Sequence, residues 1–263
     1  MQDRAPLLER HHFLLRRLHS LSGLLPIGLF LIVHLTTNSS ILWGRLLNRA
    51  DSPHAGVSTF QHEVNFIHSL PALILTEIFV LWLPILFHAV LGFVYARTGR
   101  ANTDRYPYQA NRRYRLQRVS GYLGFLFILY HVATLRWGWT FLVPGGTEWT
   151  HHYAASTLAL ALRGSADAIT PAGWVVSTAY MLGVSLLVFH FANGLWTMAI
   201  TWGVTISANA QRRWGRVCAA IGAALMLAGW SSIVGFAALD PAQARAIEDA
   251  MHAPPAPETA LTN

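Results

Sequence analysis

The stretch ILFHAVLGF, residues 85–93, places His88 in the middle of a long apolar run, with no ionic partner beside it in the sequence. An ionisable side chain is costly at membrane depth, so a residue of this kind is a candidate for a functional site. The same arrangement occurs in three further apolar runs, at His34, His131 and His190. Four such histidines, one in each run, predict a common role.

The composition of the chain predicts a membrane protein. Of its 263 residues, 53% are hydrophobic and 12% are charged, whereas soluble domains carry about 25% charged residues. A membrane-spanning helix needs roughly 20 apolar residues. Five runs of that length are present: Leu21–Trp43, Pro71–Ala96, Val119–Val143, Gly173–Val204 and Val217–Leu239. We therefore predict an all-α, polytopic membrane protein with five transmembrane helices.

The positive charge is distributed unevenly along the chain. All nineteen basic residues are arginine. Fourteen of them precede the first run or lie between runs two and three or between runs four and five: Arg4, Arg10, Arg16, Arg17, Arg97, Arg100, Arg105, Arg112, Arg113, Arg115, Arg118, Arg212, Arg213 and Arg216. The positive-inside rule then predicts a cytoplasmic N-terminus and an outer C-terminus. This basic charge indicates topology, and we expect no nucleic-acid partner.

The segments outside the five runs do not indicate a second domain. Residues 1–239 read as one transmembrane domain, in which segments 44–70 and 144–172 could contain short helices at the membrane surface. Residues 240–263 are polar and rich in alanine and proline, which predicts a disordered tail. The single cysteine, Cys218, excludes an intrachain disulfide and a cysteine-based metal cluster.

Depth in the membrane sorts the four histidines into two pairs. At about 1.5 Å per residue, His34 lies about 20 Å and His131 about 18 Å from the inner ends of their runs. His88 and His190 lie on helices that run inward; His88 is about 12 Å from the inner end of its run, and His190 is about 15 Å from the inner boundary if the long fourth run leaves the membrane at Ile200. Two histidines facing each other at one depth can supply both axial ligands of a six-coordinate haem iron in a helix bundle. The pattern therefore predicts two haems, stacked along the membrane normal.

Two glycines adjoin the histidines of the inner pair. Gly92 and Gly194 each follow a histidine by four residues and so share its helix face. The absence of a side chain there predicts room for a flat porphyrin beside His88 and His190. Close helix packing is the alternative interpretation of these glycines.

Runs one and three share a weak internal repeat. RLHSLSG, residues 17–23, precedes His34, and RLQRVSG, residues 115–121, precedes His131 at nearly the same interval. The repeat places a small group of polar residues at the inner boundary of the bundle: Arg17, His19, Arg115 and Arg118. Arginine is well suited to bind carboxylates, so these residues are candidates for contacts with haem propionates. Topology signalling is the alternative.

Four segments together resemble a known family. They are FLLRRLHSLSGLLPIGLFLIVHL, SLPALILTEIFVLWLPILFHAVLG, YRLQRVSGYLGFLFILYH and FHFANGLW, beginning at residues 13, 69, 114 and 189. In order and spacing they resemble the single-chain, five-helix dihaem cytochrome b anchor of succinate dehydrogenases and fumarate reductases. The resemblance covers residues 13–239.

The resemblance implies specific roles for the chain and its residues. His34 and His131 would ligate the iron of a distal haem b, and His88 and His190 that of a proximal haem b, with the first four helices forming the haem-binding bundle. A flavoprotein and an iron–sulfur subunit would dock on the cytoplasmic face, where the arginine-rich loop 97–118 lies. The chain would sit in the bacterial inner membrane and pass electrons to a quinone, menaquinone rather than ubiquinone.

Reduction of a quinone requires protons, and one carboxylate lies within a run. Glu77 lies about 9 Å from the outer end of the second run, close to the depth of the outer histidine pair. A positioned carboxylate can transfer protons, so Glu77 is a candidate proton relay for a quinone on the outer side. A neutral carboxylic acid bonded to a neighbouring helix is the alternative.

Two other classes of protein share some of these features. A dihaem cytochrome b can serve another dehydrogenase, such as a hydrogenase or a nitrate reductase. A haem-free transporter can use histidines to relay protons, but it predicts broken helices and charged pairs at the midplane. Reduction of haem by succinate distinguishes the first class, and an absorption spectrum distinguishes the second.

Overall fold

The computed structural model describes residues 10–47, 54–98 and 109–253, and these residues form helices and turns without a β-strand. Five helical stretches are long and apolar enough to cross a membrane. We call them spans 1 to 5: His12–Leu47, Leu73–Arg97, Arg112–Leu135, Pro171–Thr201 and Ala208–Ala238. The five-helix, all-α prediction is confirmed at this level.

Two of the spans are built from more than one helical segment. Span 1 comprises α1 (His12–Leu24) and α2 (Pro26–Leu47), which meet where Pro26 lacks the N–H that would continue the backbone ladder. Span 2 comprises α4 (Leu73–Thr76), a π-helical stretch (Glu77–Trp82) and α5 (Leu83–Thr98). Spans 3, 4 and 5 belong to single long helices: α6 (Gln109–Leu135), α8 (Pro171–Thr201) and α9 (Ala208–Ala238).

Span 3 ends earlier than its apolar run predicts. The run continues to Val143, but the helix stops at Leu135, and Gly138 then adopts a positive φ of 68° that turns the chain. Short 3₁₀ turns follow at Thr140–Leu142, Pro144–Gly146 and His151–Tyr153. Apolar composition alone does not locate this end because the turn residues Trp137, Trp139 and Phe141 are themselves large and apolar.

Glycines allow the spans to pack closely. A Cβ atom added to Gly183 of span 4 would lie 2.3 Å from the ring of Phe127 in span 3, and one added to Gly28 of span 1 would lie 2.3 Å from Phe191 in span 4. Small residues at such contacts let membrane helices approach each other. Span 4 packs against both span 3 and span 5, and span 5 also packs against span 1.

Three further helices form a cap at one end of the bundle. They are α3 (Ala55–His68), α7 (Ala154–Arg163) and α10 (Pro241–His252). Their apolar faces share a buried cluster with Ile41 of span 1 and Phe236 of span 5. We call this end the cap end. The opposite end, where span 1 begins and where spans 2–3 and 4–5 are joined, is the arginine end.

The N-terminus of α7 is capped by side chains from the other two cap helices. Glu248 of α10 is fully buried and accepts hydrogen bonds from the backbone N–H groups of Ala155 at 2.7 Å and Ser156 at 3.2 Å. Gln61 of α3 accepts one from Ala154 N at 3.0 Å. A buried N–H without a partner costs about 1–3 kcal/mol, so these contacts stabilise the cap. Burial raises the pKa of Glu248 above its ordinary value, and the hydrogen bonds from Ser156 and Ala155 oppose that shift.

The prediction of a disordered tail from residue 240 is wrong for residues 241–252. Asp240 caps α10 by accepting hydrogen bonds from Ala242 N and Gln243 N. Ala244 and Glu248, four residues apart, form the buried face of this helix. The error arose because the polar composition of the tail conceals an amphipathic helix whose buried side contains one carboxylate. Residues 254–263 lie outside the described residues.

Candidate functional site

The structure brings the four membrane histidines together as two pairs. The ring centres of His34 (span 1) and His131 (span 3) are 5.7 Å apart, and those of His88 (span 2) and His190 (span 4) are 6.1 Å apart. In both pairs the ring planes are inclined by 82°. We call the first the cap-end pair and the second the arginine-end pair, and this is the pairing that the depth estimate predicts.

Both histidines of the arginine-end pair donate a hydrogen bond to a backbone carbonyl. His88 Nδ1 lies 2.9 Å from the carbonyl oxygen of His19, and His190 Nδ1 lies 3.0 Å from that of Gln117. A carbonyl only accepts, so each Nδ1 carries the proton. The Nε2 atom of a neutral imidazole then keeps a free lone pair that can bind a metal ion.

Polar side chains of span 1 adjoin this pair. The His19 ring stacks on that of His88 with ring centres 4.0 Å apart. His19 Nε2 and Arg17 Nε are buried without a hydrogen-bond partner among the described residues. The Arg17 guanidinium also lies over the rings of Phe13 and Trp202. Buried donors of this kind can receive an acidic group of a ligand.

Arg115 and Arg118 of span 3, the other arginines predicted to contact haem propionates, lie differently from Arg17. Arg115 is exposed, and the Arg118 guanidinium lies 5.7 Å from the ring centre of Tyr114. Neither contacts the histidine pair in a bond that the structure shows. Gly92 and Gly194 adjoin the repeat rather than the paired rings, because an added Cβ would lie 3.4 Å from His19 Nε2 and 3.6 Å from Gln117 Nε2, respectively.

A polar network that the sequence did not predict holds Gln117, the residue whose carbonyl accepts the hydrogen bond from His190. Gln117 donates from Nε2 to the carbonyl of His190 at 3.0 Å and accepts at Oε1 from Asn193 Nδ2 at 2.8 Å. Arg113 Nε donates to Asn193 Oδ1 at 2.9 Å. The sequence feature that could have identified Gln117 was the internal repeat, in which Gln117 occupies the position of His19.

The surroundings of the cap-end pair are aromatic. Phe30 stacks on His34, and Tyr180 and Phe127 contact His131. His131 Nδ1 is buried and has no hydrogen-bond partner within the described part of the chain. The two pairs therefore differ in the hydrogen bonding of Nδ1. In the arginine-end pair this nitrogen donates to a backbone carbonyl, whereas His131 Nδ1 has no partner among the described residues.

Glu77 pairs with an arginine near the cap end. Its Oε2 atom lies 3.0 Å from Arg136 Nη2, with side-chain exposures of 22% for Glu77 and 55% for Arg136. Glu77 begins the π-helical stretch of span 2, a feature that is frequent at functional sites. Trp82, at the end of that stretch, stacks on Trp137. Glu77 is thus paired with the arginine that follows span 3.

Four other histidines cluster on the cap. Their rings form a chain of contacts. His68 stacks on His151, the tilted ring of His152 lies against His151, and His252 meets His152 edge-on. Burial, followed by the charge of Arg136, lowers the pKa of His68, and burial, followed by the charge of His68, lowers that of His151. No group of three or more histidine, cysteine or acidic side chains suited to hold a metal ion occurs among the described residues.

The arrangement of the four membrane histidines therefore restricts the type of metal that they can hold. Two imidazoles that bind one metal ion from opposite sides at about 2.1 Å have ring centres about 6 Å apart, as both pairs do. Zinc and calcium ions take at least four ligands, so two imidazoles alone would suit a metal held within a prosthetic group.

Sequence similarity relates the chain to a known protein. Over 224 residues, the chain is 34% identical to the succinate dehydrogenase cytochrome b558 subunit of Bacillus subtilis (strain 168), covering 85% of this chain and 96% of that protein. The chain belongs to the family of succinate dehydrogenase cytochrome b subunits. No family model and no solved structure matches it.

Membership of the cytochrome b subunit family agrees with the fold. The chain is a multi-pass membrane protein whose five spans make up most of the described residues. It is a membrane-anchor subunit of an oxidoreductase complex of the succinate dehydrogenase type. The resemblance noted in the sequence is therefore confirmed, and neither the hydrogenase or nitrate reductase alternative nor the transporter alternative is supported.

Proposed function

We propose that the chain carries electrons between the iron–sulfur subunit of a succinate:quinone oxidoreductase and a membrane quinone, through two haems b. The observation that carries this proposal is the presence of two histidine pairs, each at the spacing of opposed ligands to one metal ion. The relative's name includes cytochrome b558, which is consistent with haem b. When bound, the two haems supply one-electron carriers at two depths of the bundle.

Each residue group has a proposed part in holding these cofactors. His88 and His190 ligate the proximal haem iron at the arginine end, and His34 and His131 ligate the distal haem iron at the cap end. Arg17 Nε and His19 Nε2, which are buried without a hydrogen-bond partner among the described residues, would receive propionate groups at the arginine end. Arg115 and Arg118 lie farther out and contribute positive charge.

We place the arginine end in the cytoplasm, where the flavoprotein and the iron–sulfur subunit dock. Arg16, Arg113, Arg213 and Arg216 lie at this end, and cytoplasmic segments of membrane proteins are enriched in such residues. Residues 99–108 of the arginine-rich loop lie outside the described residues. The cap then faces the outside of the bacterial inner membrane, and electrons arriving at the proximal haem cross toward the distal side.

The experiment that tests the function is spectroscopy of the purified complex. We expect two haems b per chain, both reducible by succinate when the flavoprotein and iron–sulfur subunits are present. Because the ring planes of each pair are nearly perpendicular, both ferric centres should give strongly anisotropic low-spin electron paramagnetic resonance signals. A folded complex without haem would contradict the proposal, and haem that succinate cannot reduce would point to another dehydrogenase.

The proposed quinone site lies at the cap end, with menaquinone as the expected substrate. Quinone reduction takes up two protons, so a carboxylate within reach of the quinone accelerates it. Glu77 supplies that carboxylate, and the ion pair with Arg136 holds it in place at the edge of the bundle. His68 of the cap lies close enough to this pair that the charges of both members act on its pKa.

We predict that Glu77→Gln lowers quinone reduction by roughly 10²-fold, the range in which general acid–base catalysis contributes. The amide keeps the size of the side chain but cannot take up and release a proton. Steady-state reduction of a menaquinone analogue by the complex, measured between pH 6 and 9, checks the prediction. The pH profile should flatten as well, because the proton-transferring group has been removed.

The matched variants separate a proton relay from an ion pair. Arg136→Gln breaks the same ion pair but leaves the carboxylate, so we expect it to retain much more turnover than Glu77→Gln. Glu148→Gln makes the same chemical change on an exposed side chain near the same end and should behave as the unaltered protein. Equal losses in Glu77→Gln and Arg136→Gln would reduce the role of Glu77 to structure.

A further inference from the structure

The two copies of the seven-residue internal repeat, which we call the first and the second heptad, occupy equivalent places in the fold. Residues 17–23 (RLHSLSG) lie in α1, and residues 115–121 (RLQRVSG) lie in α6. Each copy contacts the arginine-end histidine of the span that follows it in the chain, His88 for the first copy and His190 for the second. In the sequence each copy precedes a histidine of its own span, whereas in the structure it contacts a histidine of the next span.

The first heptad holds His88 by three contacts. The carbonyl of His19, at position three, accepts a hydrogen bond from His88 Nδ1 at 2.9 Å. The hydroxyl of Ser22, at position six, lies 3.3 Å from the same nitrogen and donates its own proton to the His19 carbonyl at 2.8 Å. Gly23, at position seven, leaves the space for the ring, since an added Cβ would lie 2.5 Å from His88 Cε1.

The second heptad repeats these contacts at His190. The carbonyl of Gln117 accepts from His190 Nδ1 at 3.0 Å. Ser120 lies 3.3 Å from that nitrogen and donates to the Gln117 carbonyl at 3.1 Å. A Cβ added to Gly121 would lie 2.9 Å from His190 Cε1. The four distances agree with those of the first heptad to within a few tenths of an ångström, so the agreement extends beyond sequence to geometry.

The cap-end pair has no contact of this kind in the described residues. His131 Nδ1 is buried without a hydrogen-bond partner. The heptad contacts are therefore specific to the arginine-end pair. A hydrogen bond accepted from the free ring nitrogen fixes the tautomer and ring plane of a metal-bound histidine and makes it a stronger electron donor to the metal.

We propose that the two heptads are matched clamps, in which Ser22, Ser120, Gly23 and Gly121 are positioning residues for the ligands of the proximal haem. By sharing each Nδ1 proton between a carbonyl and a hydroxyl, the clamps hold both imidazoles as strong donors and set the midpoint potential of that haem alone. The inference rests on the proposed function, because it requires a haem iron between His88 and His190.

The serines are tested by redox titration of the complex. In the double variant Ser22→Ala/Ser120→Ala each Nδ1 loses one acceptor, so the imidazoles donate less and the ferric iron is less stabilised. We expect the midpoint potential of the proximal haem to become more positive while that of the distal haem is unchanged. The low-spin resonance signal of the proximal haem should shift at the same time, because the ring planes are less tightly held.

Two controls distinguish a clamp from a general effect on folding. Threonine retains the hydroxyl, so Ser22→Thr/Ser120→Thr should restore the potential of the unaltered complex. Ser20 lies in the first heptad and donates to the carbonyl of Arg17 without contacting His88, so Ser20→Ala should leave both potentials in place. An unchanged proximal potential in the double alanine variant, or equal shifts of both haems, would overturn the proposal.

The glycines are tested by haem content. Gly121→Ala forces a Cβ against the His190 ring, and we expect the complex to contain one haem per chain and to retain the distal spectrum. Gly124→Ala, one turn further along α6, meets the end of the Leu187 side chain, which can rotate away, and should keep two haems. Two haems in Gly121→Ala would overturn the clamp, whereas an unaltered complex without haem would refute the proposed function itself.

Discussion

Replacing His88 with alanine is expected to reduce the haem content of the purified complex from two per chain to one, and to abolish electron transfer from succinate to quinone. The proposed ligand pair at the arginine end consists of two residues, and no group of three or more histidine, cysteine or acidic side chains suited to hold a metal ion occurs among the described residues. In the proposed function electrons enter the chain at the proximal haem, so its loss would stop turnover. Pyridine haemochrome analysis and a reduced-minus-oxidised spectrum provide the measurement.

The spectrum of the remaining haem identifies which site was lost. His34→Ala should remove the other haem, so the two variants should have complementary spectra that together reproduce the unaltered complex. His88→Met retains a side chain that can ligate haem iron and should keep two haems with one raised midpoint potential. His252→Ala, on the exposed surface of the cap, should retain both haems. Two haems in His88→Ala would contradict the proposed ligand role of this residue.

Replacing His131 with alanine is expected to stop quinone reduction while succinate still reduces the haem that remains. This variant loses the cap-end pair and leaves the arginine-end pair intact, since the clamps on His88 and His190 use only Gln117, Ser120 and Gly121 of span 3. Electrons can then enter the chain without reaching the quinone. Single-turnover reduction by succinate, followed at the haem absorption band beside steady-state quinone assays, separates the two steps.

If His131→Ala partly lost both haem reduction by succinate and quinone reduction, the assignment of these two steps to the two histidine pairs would be contradicted. If quinone were reduced at the arginine end, His131→Ala would retain turnover, and the quinone site would move from the cap end to the opposite side of the bundle. His152→Ala on the cap provides the matched control, because its ring contacts only other histidines in the contacts that the structure shows.

Much of the architecture follows from the sequence because the membrane imposes simple rules. Five apolar runs predict five spans, and rise per residue predicts which histidines lie at one depth. His34 and His131, far apart in sequence, are brought together as that estimate predicts. Helix ends are harder, since the apolar aromatic residues after Leu135 continue the hydropathy pattern after the helix has stopped.

Contacts made by backbone atoms could not be predicted in the same way. The repeat was visible, but a carbonyl carries no residue identity, so nothing in the letters of residues 17–23 shows that the carbonyl of His19 faces His88. The ion pair of Glu77 with Arg136 depends on where span 3 ends, which hydropathy misplaced. Two of the three cap helices, α3 and α7, lie in the segments where short surface helices were predicted. The third, α10, was missed because Glu248 is buried by pairing with the N-terminus of another helix rather than with a basic side chain.

The way in which the pairs are formed has a consequence for how the protein is assembled. Spans 1 and 2 form one hairpin and spans 3 and 4 another, and each contributes one heptad, one cap-end histidine and one arginine-end histidine. The chain thus has, within one polypeptide, the plan of two similar hairpins. In the proposed function each iron would take one ligand from each hairpin, so bound haem would join the two halves. Biogenesis of the subunit should therefore depend on haem supply, with the cofactor acting as an assembly factor as well as an electron carrier.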